Sequence, residues 1–177
     1  MQIAAILICC FAAYAVNMRL RILLSFAVAS LLGGCASGDG GLLAGKSIDL
    51  KLPIYISTIR DAVDVNQTTI TGSGNALQAA LLEELKKAGH SITTAPSMSS
   101  YDFAVQYTRW EDRATNWSGA PDVISASSTL KPAPFGELVS SSNCEVKSSV
   151  LELAPATPER LIPDLAKVLV EKTFPKR

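Results

Sequence analysis

From Ile48 onward, apolar side chains fall at every second position: Ile48, Leu50, Leu52, Ile54 and Ile56. This period predicts a strand with one buried face, and Pro53 inside it argues for an edge or a bulge. Residues 58–70 are polar and irregular. Gly72, Ser73, Gly74 and Asn75 then open a helix, with Ser73 or Asn75 as N-cap and Gln78 at capping-box spacing from Asn75. Leu77, Ala80, Leu81, Leu85 and Ala88 lie at helical spacing, Lys86 and Lys87 occupy the last turn, and Gly89 suits the position just past the end. His90 to Thr94 reads as a short strand ending at Ala95-Pro96.

Tyr101, Phe103, Val105 and Tyr107 alternate with Asp102, Ala104, Gln106 and Thr108, which predicts another half-buried strand. Asp122–Leu130 and Glu137–Lys147, rich in Ser, Thr and Val, predict two strands joined through Lys131–Gly136. Thr157 and Pro158 fit an N-cap and first helical residue, and Leu161, Leu165, Val168 and Leu169 form the buried stripe that follows. Pro163 either moves the start to Ile162 or kinks the first turn. The expected fold class is α+β. A mixed or antiparallel sheet of about five strands, in the order β-α-β-β-β-β-α, carries two helices on one face.

The first 34 residues differ from the rest, containing no Asp or Glu and only Arg19 and Arg21 as charges. From Met18, the two arginines precede an apolar run from Ile22 to Leu32 and then small residues. This is the layout of a secretory signal, too short for an ordinary membrane span. Leu32-Gly33-Gly34-Cys35 resembles the lipobox of bacterial lipoproteins, an aliphatic residue and two small ones before the cysteine. The resemblance implies cleavage before Cys35 after its sulfur receives a diacylglycerol. It also implies an outer-membrane destination, because Ala36 stands where Asp often marks inner-membrane retention. Residues 1–17 add a second uncharged apolar run, and Met18 is favoured over Met1 as the true start. The expected organisation is a signal peptide over 1–34, lipidated Cys35 with a flexible tether to residue 47, and one domain over 48–177.

Composition narrows the function further. Basic and acidic residues number 16 each in the 177-residue chain, which disfavours a polybasic nucleic-acid binder. Loss of Cys9 and Cys10 with the signal, and lipidation of Cys35, leave Cys144 without a disulfide partner. It is expected as a small buried hydrophobe. His90 is the sole histidine, and no G-x-S-x-G accompanies it, so a hydrolytic triad has no support. One histidine and one remaining cysteine do not supply a zinc site, and no metal or cofactor is expected. Gly72-Ser73-Gly74 outlines an anion-binding nest, but Leu77 stands where a dinucleotide fingerprint needs glycine. The stretch from Arg109 to Trp117 concentrates two tryptophans, two arginines and two carboxylates. Arg109, Trp110, Arg113 and Trp117 are the candidate contacts to a partner or ligand, since Trp and Arg dominate interface hot spots. The competing reading has the rings cover the open sheet edge or the core and leaves the charges solvated.

LQAALLEELKKAGHSITTAP, YDFAVQYTRW and the hairpin ending GELVSSS together resemble the small α/β domain of Gram-negative envelope lipoproteins of unknown function. The same layout is similar to the amino-terminal domain of the Tol-system propeller protein. The resemblance implies an accessory, non-catalytic role at the outer membrane. The partners implied are outer-membrane lipid through acylated Cys35 and another envelope protein. A small-ligand binder for glycan, peptidoglycan or lipid fragments is the alternative.

Overall fold

The computed structural model describes residues 35–113, 120–148 and 157–174, all within one compact unit spanning residues 34–177. It is an α+β fold with a mixed sheet and two helices. The strands are β1 (Cys35–Leu42), β2 (Ile54–Ile56), β3 (Ala62–Val63), β4 (Thr69–Ile70), β5 (Ile92–Thr93), β6 (Tyr101–Glu111), β7 (Val123–Pro132) and β8 (Ser140–Lys147). The helices are α1 (Ser73–Lys87) and α2 (Ile162–Thr173), the latter preceded by a 3-10 turn at Pro158–Leu161. Six strands form one sheet in the order β1-β8-β7-β6-β2-β5, and β3 and β4 form a separate hairpin. β2 runs parallel to β5 and β6, whereas β6, β7, β8 and β1 pair antiparallel.

Alternation sorts the long strands. Tyr101, Phe103 and Val105 of β6, Ile124, Ala126 and Leu130 of β7, and Cys144 and Val146 of β8 are buried in one cluster. Leu77, Leu81 and Leu85 of α1 join it, as do Leu165, Ala166 and Leu169 of α2. Phe103 meets Phe174 edge-on at 5.5 Å. Burial of the large side chains stabilises the domain by roughly 1.5–3 kcal/mol each. Between sheet and α2, the hydroxyls of Ser128, Ser142 and Thr173 satisfy one another, Ser128 lying 2.7 Å from Ser142 and 3.0 Å from Thr173. The opposite face presents Gln106, Ser127, Thr129 and Asn143.

Three stretches differ from the sequence expectation. Residues 35–42, expected within a tether, form edge strand β1, paired with β8 along its whole length. The Ser-Gly-Asp-Gly-Gly composition suits this close pairing: a Cβ on Gly40 would lie 2.2 Å from the Ser141 carbonyl oxygen. The first predicted strand shrinks to Ile54–Ile56. Residues 49–52 turn instead, with the Asp49 carboxylate accepting from the Lys51 N–H at 3.0 Å and the Asp49 carbonyl from Leu52 at 3.1 Å. Leu50 is consequently 51% exposed, although Ile48 remains in the core. The irregular segment holds the β3–β4 hairpin, closed by the Asp64 carboxylate accepting from the Asn66 and Thr68 N–H groups.

The helix ends follow the expected pattern at the carboxyl side of α1 and depart from it at the amino side. Gly89 N–H donates to Lys86 and His90 N–H to Leu85, the paired bonds of a Schellman ending. At the start, Gly72 is the N-cap, and neither Ser73 nor Asn75 supplies a side-chain cap. Asp61 does so from a distance, its carboxylate accepting from Gly72 N–H at 3.1 Å and Gly74 N–H at 2.8 Å. Ser73 Oγ instead accepts from Ala62 N–H at 2.8 Å. Pro163 sits in the first turn of α2, whose start at Ile162 is one of the two alternatives read from the sequence.

Candidate functional site

A strict alternation would send Arg109 into the core and Trp110 to the surface. The register of β6 against β7 shifts between Tyr107, opposite Ala126, and Arg109, opposite Ser125, which leaves Thr108 as an extra residue. This is a β-bulge, an extra residue that re-aims every side chain after it. Thr108 Oγ1 lies 2.9 Å from Ser125 Oγ. Beyond the bulge, Trp110 lies opposite Ile124 and is 2% exposed, its ring edge-on to Tyr107 at 5.5 Å. Trp110 therefore belongs to the core and is not available as a partner contact. Trp117 lies outside the described residues.

Arg109 and Glu111 emerge on the polar face, where Arg109 reaches over β7 to β8. Arg109 pairs with Glu111 and, at 3.1 Å, with Glu145. Arg113 also pairs with Glu111, and Lys147 reaches Glu145 at 2.8 Å. Three cations thus alternate with two carboxylates from β6, over β7, to β8. The hydrogen bond from Arg109, joined by that from Arg113, holds the Glu111 carboxyl below its ordinary range. Lys147 first, and Arg109 second, do the same for Glu145. Arg113 is further fixed by its N–H, which donates to Asp122 Oδ1 at 2.7 Å. Both sequence-predicted arginines are therefore brought together. Glu145 and Lys147 were not foreseen as their partners, although Ser141, Asn143, Glu145 and Lys147 already form a polar period-two face.

The remaining candidates resolve individually. Cys35 is the first residue of β1, opposite Lys147. Cys144 is 1% exposed, among Ser142 and core residues. His90 packs in a tilted arrangement against Phe174 with ring centroids 4.6 Å apart, and partial burial lowers its pKa. The Gly72–Gly74 turn is filled by the Asp61 carboxylate, which occupies the N–H groups an external anion would need. Among the described residues no group of three His, Cys, Asp or Glu side chains is placed to hold a metal ion. A cavity of about 380 Å³ on the polar sheet face is lined by Thr58, Arg60, Gln106, Ser127 and Thr129, among others. No described helix is long and apolar enough to cross a membrane.

No family model matches the chain, and no curated protein matches it. Solved structures match in three dimensions. A PelC dodecamer from Paraburkholderia phytofirmans aligns with a TM-score of 0.60 at 10% identity, over 81% of this chain and 100% of that one. A PelC variant dodecamer from the same organism gives 0.56 at 12% identity, over 79% and 99%. What is shared is the fold. A Xanthomonas campestris protein of family DUF330 gives 0.52 at 14% identity, over 73% of this chain and 87% of that one. The alignments to PelC run over nearly the whole of those chains.

Proposed function

We propose that this chain is an outer-membrane lipoprotein, anchored through acylated Cys35 and facing the periplasm, which acts by binding another envelope protein rather than by catalysis. The observation that carries the reading is the lipobox-like run Leu32-Gly33-Gly34-Cys35 behind a short apolar stretch and two arginines. Three acyl chains at roughly 0.8 kcal/mol per buried CH₂ group make such an anchor effectively permanent. The non-catalytic part is supported by the environments of the reactive side chains. Cys144 is buried, and His90 packs against Phe174. The polar face of the sheet, with Gln106 and Asn143 exposed on it, offers contacts for a protein surface. Because the PelC structures are dodecamers, a second copy of this chain is one candidate for that partner.

Cys35→Ala tests the anchor: the substituted protein leaves the outer-membrane fraction, while the parent stays in it. Photo-crosslinkers at Gln106 and Asn143 test the partner. A discrete crosslinked band of a second copy or another envelope protein supports the reading, and none at either position removes this surface from it. The cavity beside Arg60 favours a second reading, a binder of small polar ligands such as glycan fragments. A ligand at 100 times its Kd adds about 2.7 kcal/mol to stability. A thermal shift with muropeptides therefore supports that reading, and Arg60→Ala should abolish the shift.

A further inference from the structure

The sheet register places Cys35 at one end of the domain. Cys35 of β1 pairs with Lys147 of β8, Lys147 with Val123 of β7, and Val123 with Glu111 of β6. These four residues form one row, about 14 Å across at the usual strand separation. The β7–β8 hairpin lies at the other end of β8, about 25 Å away at about 3.3 Å per residue. Its turn carries Phe135, which is 95% exposed. β1 is paired with β8 from its first residue, so no slack separates the anchor position from the sheet.

We infer that the acylated Cys35 holds the domain end-on against phospholipid headgroups, with the end of the sheet that carries Lys147 and Arg113 toward the membrane and the β7–β8 hairpin pointing away. This rests on the anchoring proposed above and specifies the surface that meets the lipid. The occupant is a zwitterionic headgroup layer of the phosphatidylethanolamine type. Arg109, Arg113 and Lys147 match its phosphates, and Glu111 and Glu145 match its ammonium groups. The same side chains already pair with one another in alternation at this end of the sheet. Headgroup phosphate and ammonium can extend that alternation without leaving a charge uncompensated.

A depth ladder tests the inference on the full, membrane-extracted chain in phosphatidylethanolamine–phosphatidylglycerol vesicles. Fluorophores are attached to Lys147→Cys, Asn143→Cys and Phe135→Cys in a Cys144→Ala background, and headgroup-spin-labelled lipid is the quencher. Loss of most of the signal at position 147, an intermediate loss at 143 and none at 135 is the expected result. Equal quenching at 147 and 143 means the polar face lies flat on the bilayer and overturns the inference, as does strongest quenching at 135. Arg113→Cys replaces Lys147→Cys if the latter does not fold. Inserting a Gly-Ser tether of about eight residues after Cys35 should erase the gradient. Intact mass separates the two levels. A lipidated protein without a gradient loses only the orientation, whereas an unlipidated one loses the anchor and the orientation together.

Discussion

Asp61 acts on α1 from outside the helix. Its carboxylate accepts from the Gly72 and Gly74 N–H groups, and those two bonds, Gly74 first, hold its pKa below the ordinary aspartate value. A carboxyl depressed in the folded state stabilises fully above its unfolded pKa of about 3.9 and loses that contribution as pH falls through the folded value. Asp61→Ala should therefore lower the urea midpoint at neutral pH, and the gap to the parent should close at pH values below about 4. A gap that persists at low pH would assign the effect to packing instead. Trp110 makes the opposite case, an aromatic residue that resembles an interface anchor in sequence and is buried. Trp110→Ala should cost about 3–5 kcal/mol in urea unfolding, as loss of a large core ring does. An unchanged midpoint would return Trp110 to the surface.

At the scale of elements, glycine positions discriminate most sharply. Gly74 lies in the first turn of α1, where alanine ordinarily favours a helix by about 1 kcal/mol. Here its Cβ would sit 2.4 Å from the Ile59 carbonyl oxygen, a backbone atom with little room to retreat. Gly74→Ala should therefore destabilise by about 1–3 kcal/mol, the range of an overpacked contact. A stabilised protein would contradict the packing of α1 against the chain at Ile59. Thr173→Val removes one hydroxyl from the Ser128–Ser142–Thr173 group and keeps its shape. It should cost about 1 kcal/mol in thermal or urea unfolding, since Ser128 and Ser142 still pair.

These elements also show what was legible in the sequence. The stripe of Leu77, Leu81 and Leu85 and the Gly89 ending identified α1 because burial and capping agree there. The alternation of Tyr101, Phe103 and Val105 identified β6 up to the bulge. A bulge leaves no mark on hydrophobic period, so the faces of Arg109 and Trp110 were not legible. Nor was β1, whose pairing depends on backbone hydrogen bonds and the absence of Cβ atoms. The arginines of the candidate site were named from sequence, but their carboxylate partner Glu145 comes from a strand 34 residues further on than Glu111.

For the whole molecule, the sheet order makes β1 an edge strand whose first residue is the proposed anchor. Cys35→Ala should leave the folded domain's stability unchanged while removing it from the membrane, since the pairing of β1 uses the backbone. The proposed role as an anchored binding module depends on that attachment. Intact mass of the membrane-extracted protein, measured together with its fractionation, tests it most directly. The account predicts residues 35–177 plus three acyl chains, recovered in the outer-membrane fraction. An uncleaved chain, or a cleaved one without acyl groups, would contradict it and make residues 1–34 something other than a lipoprotein signal.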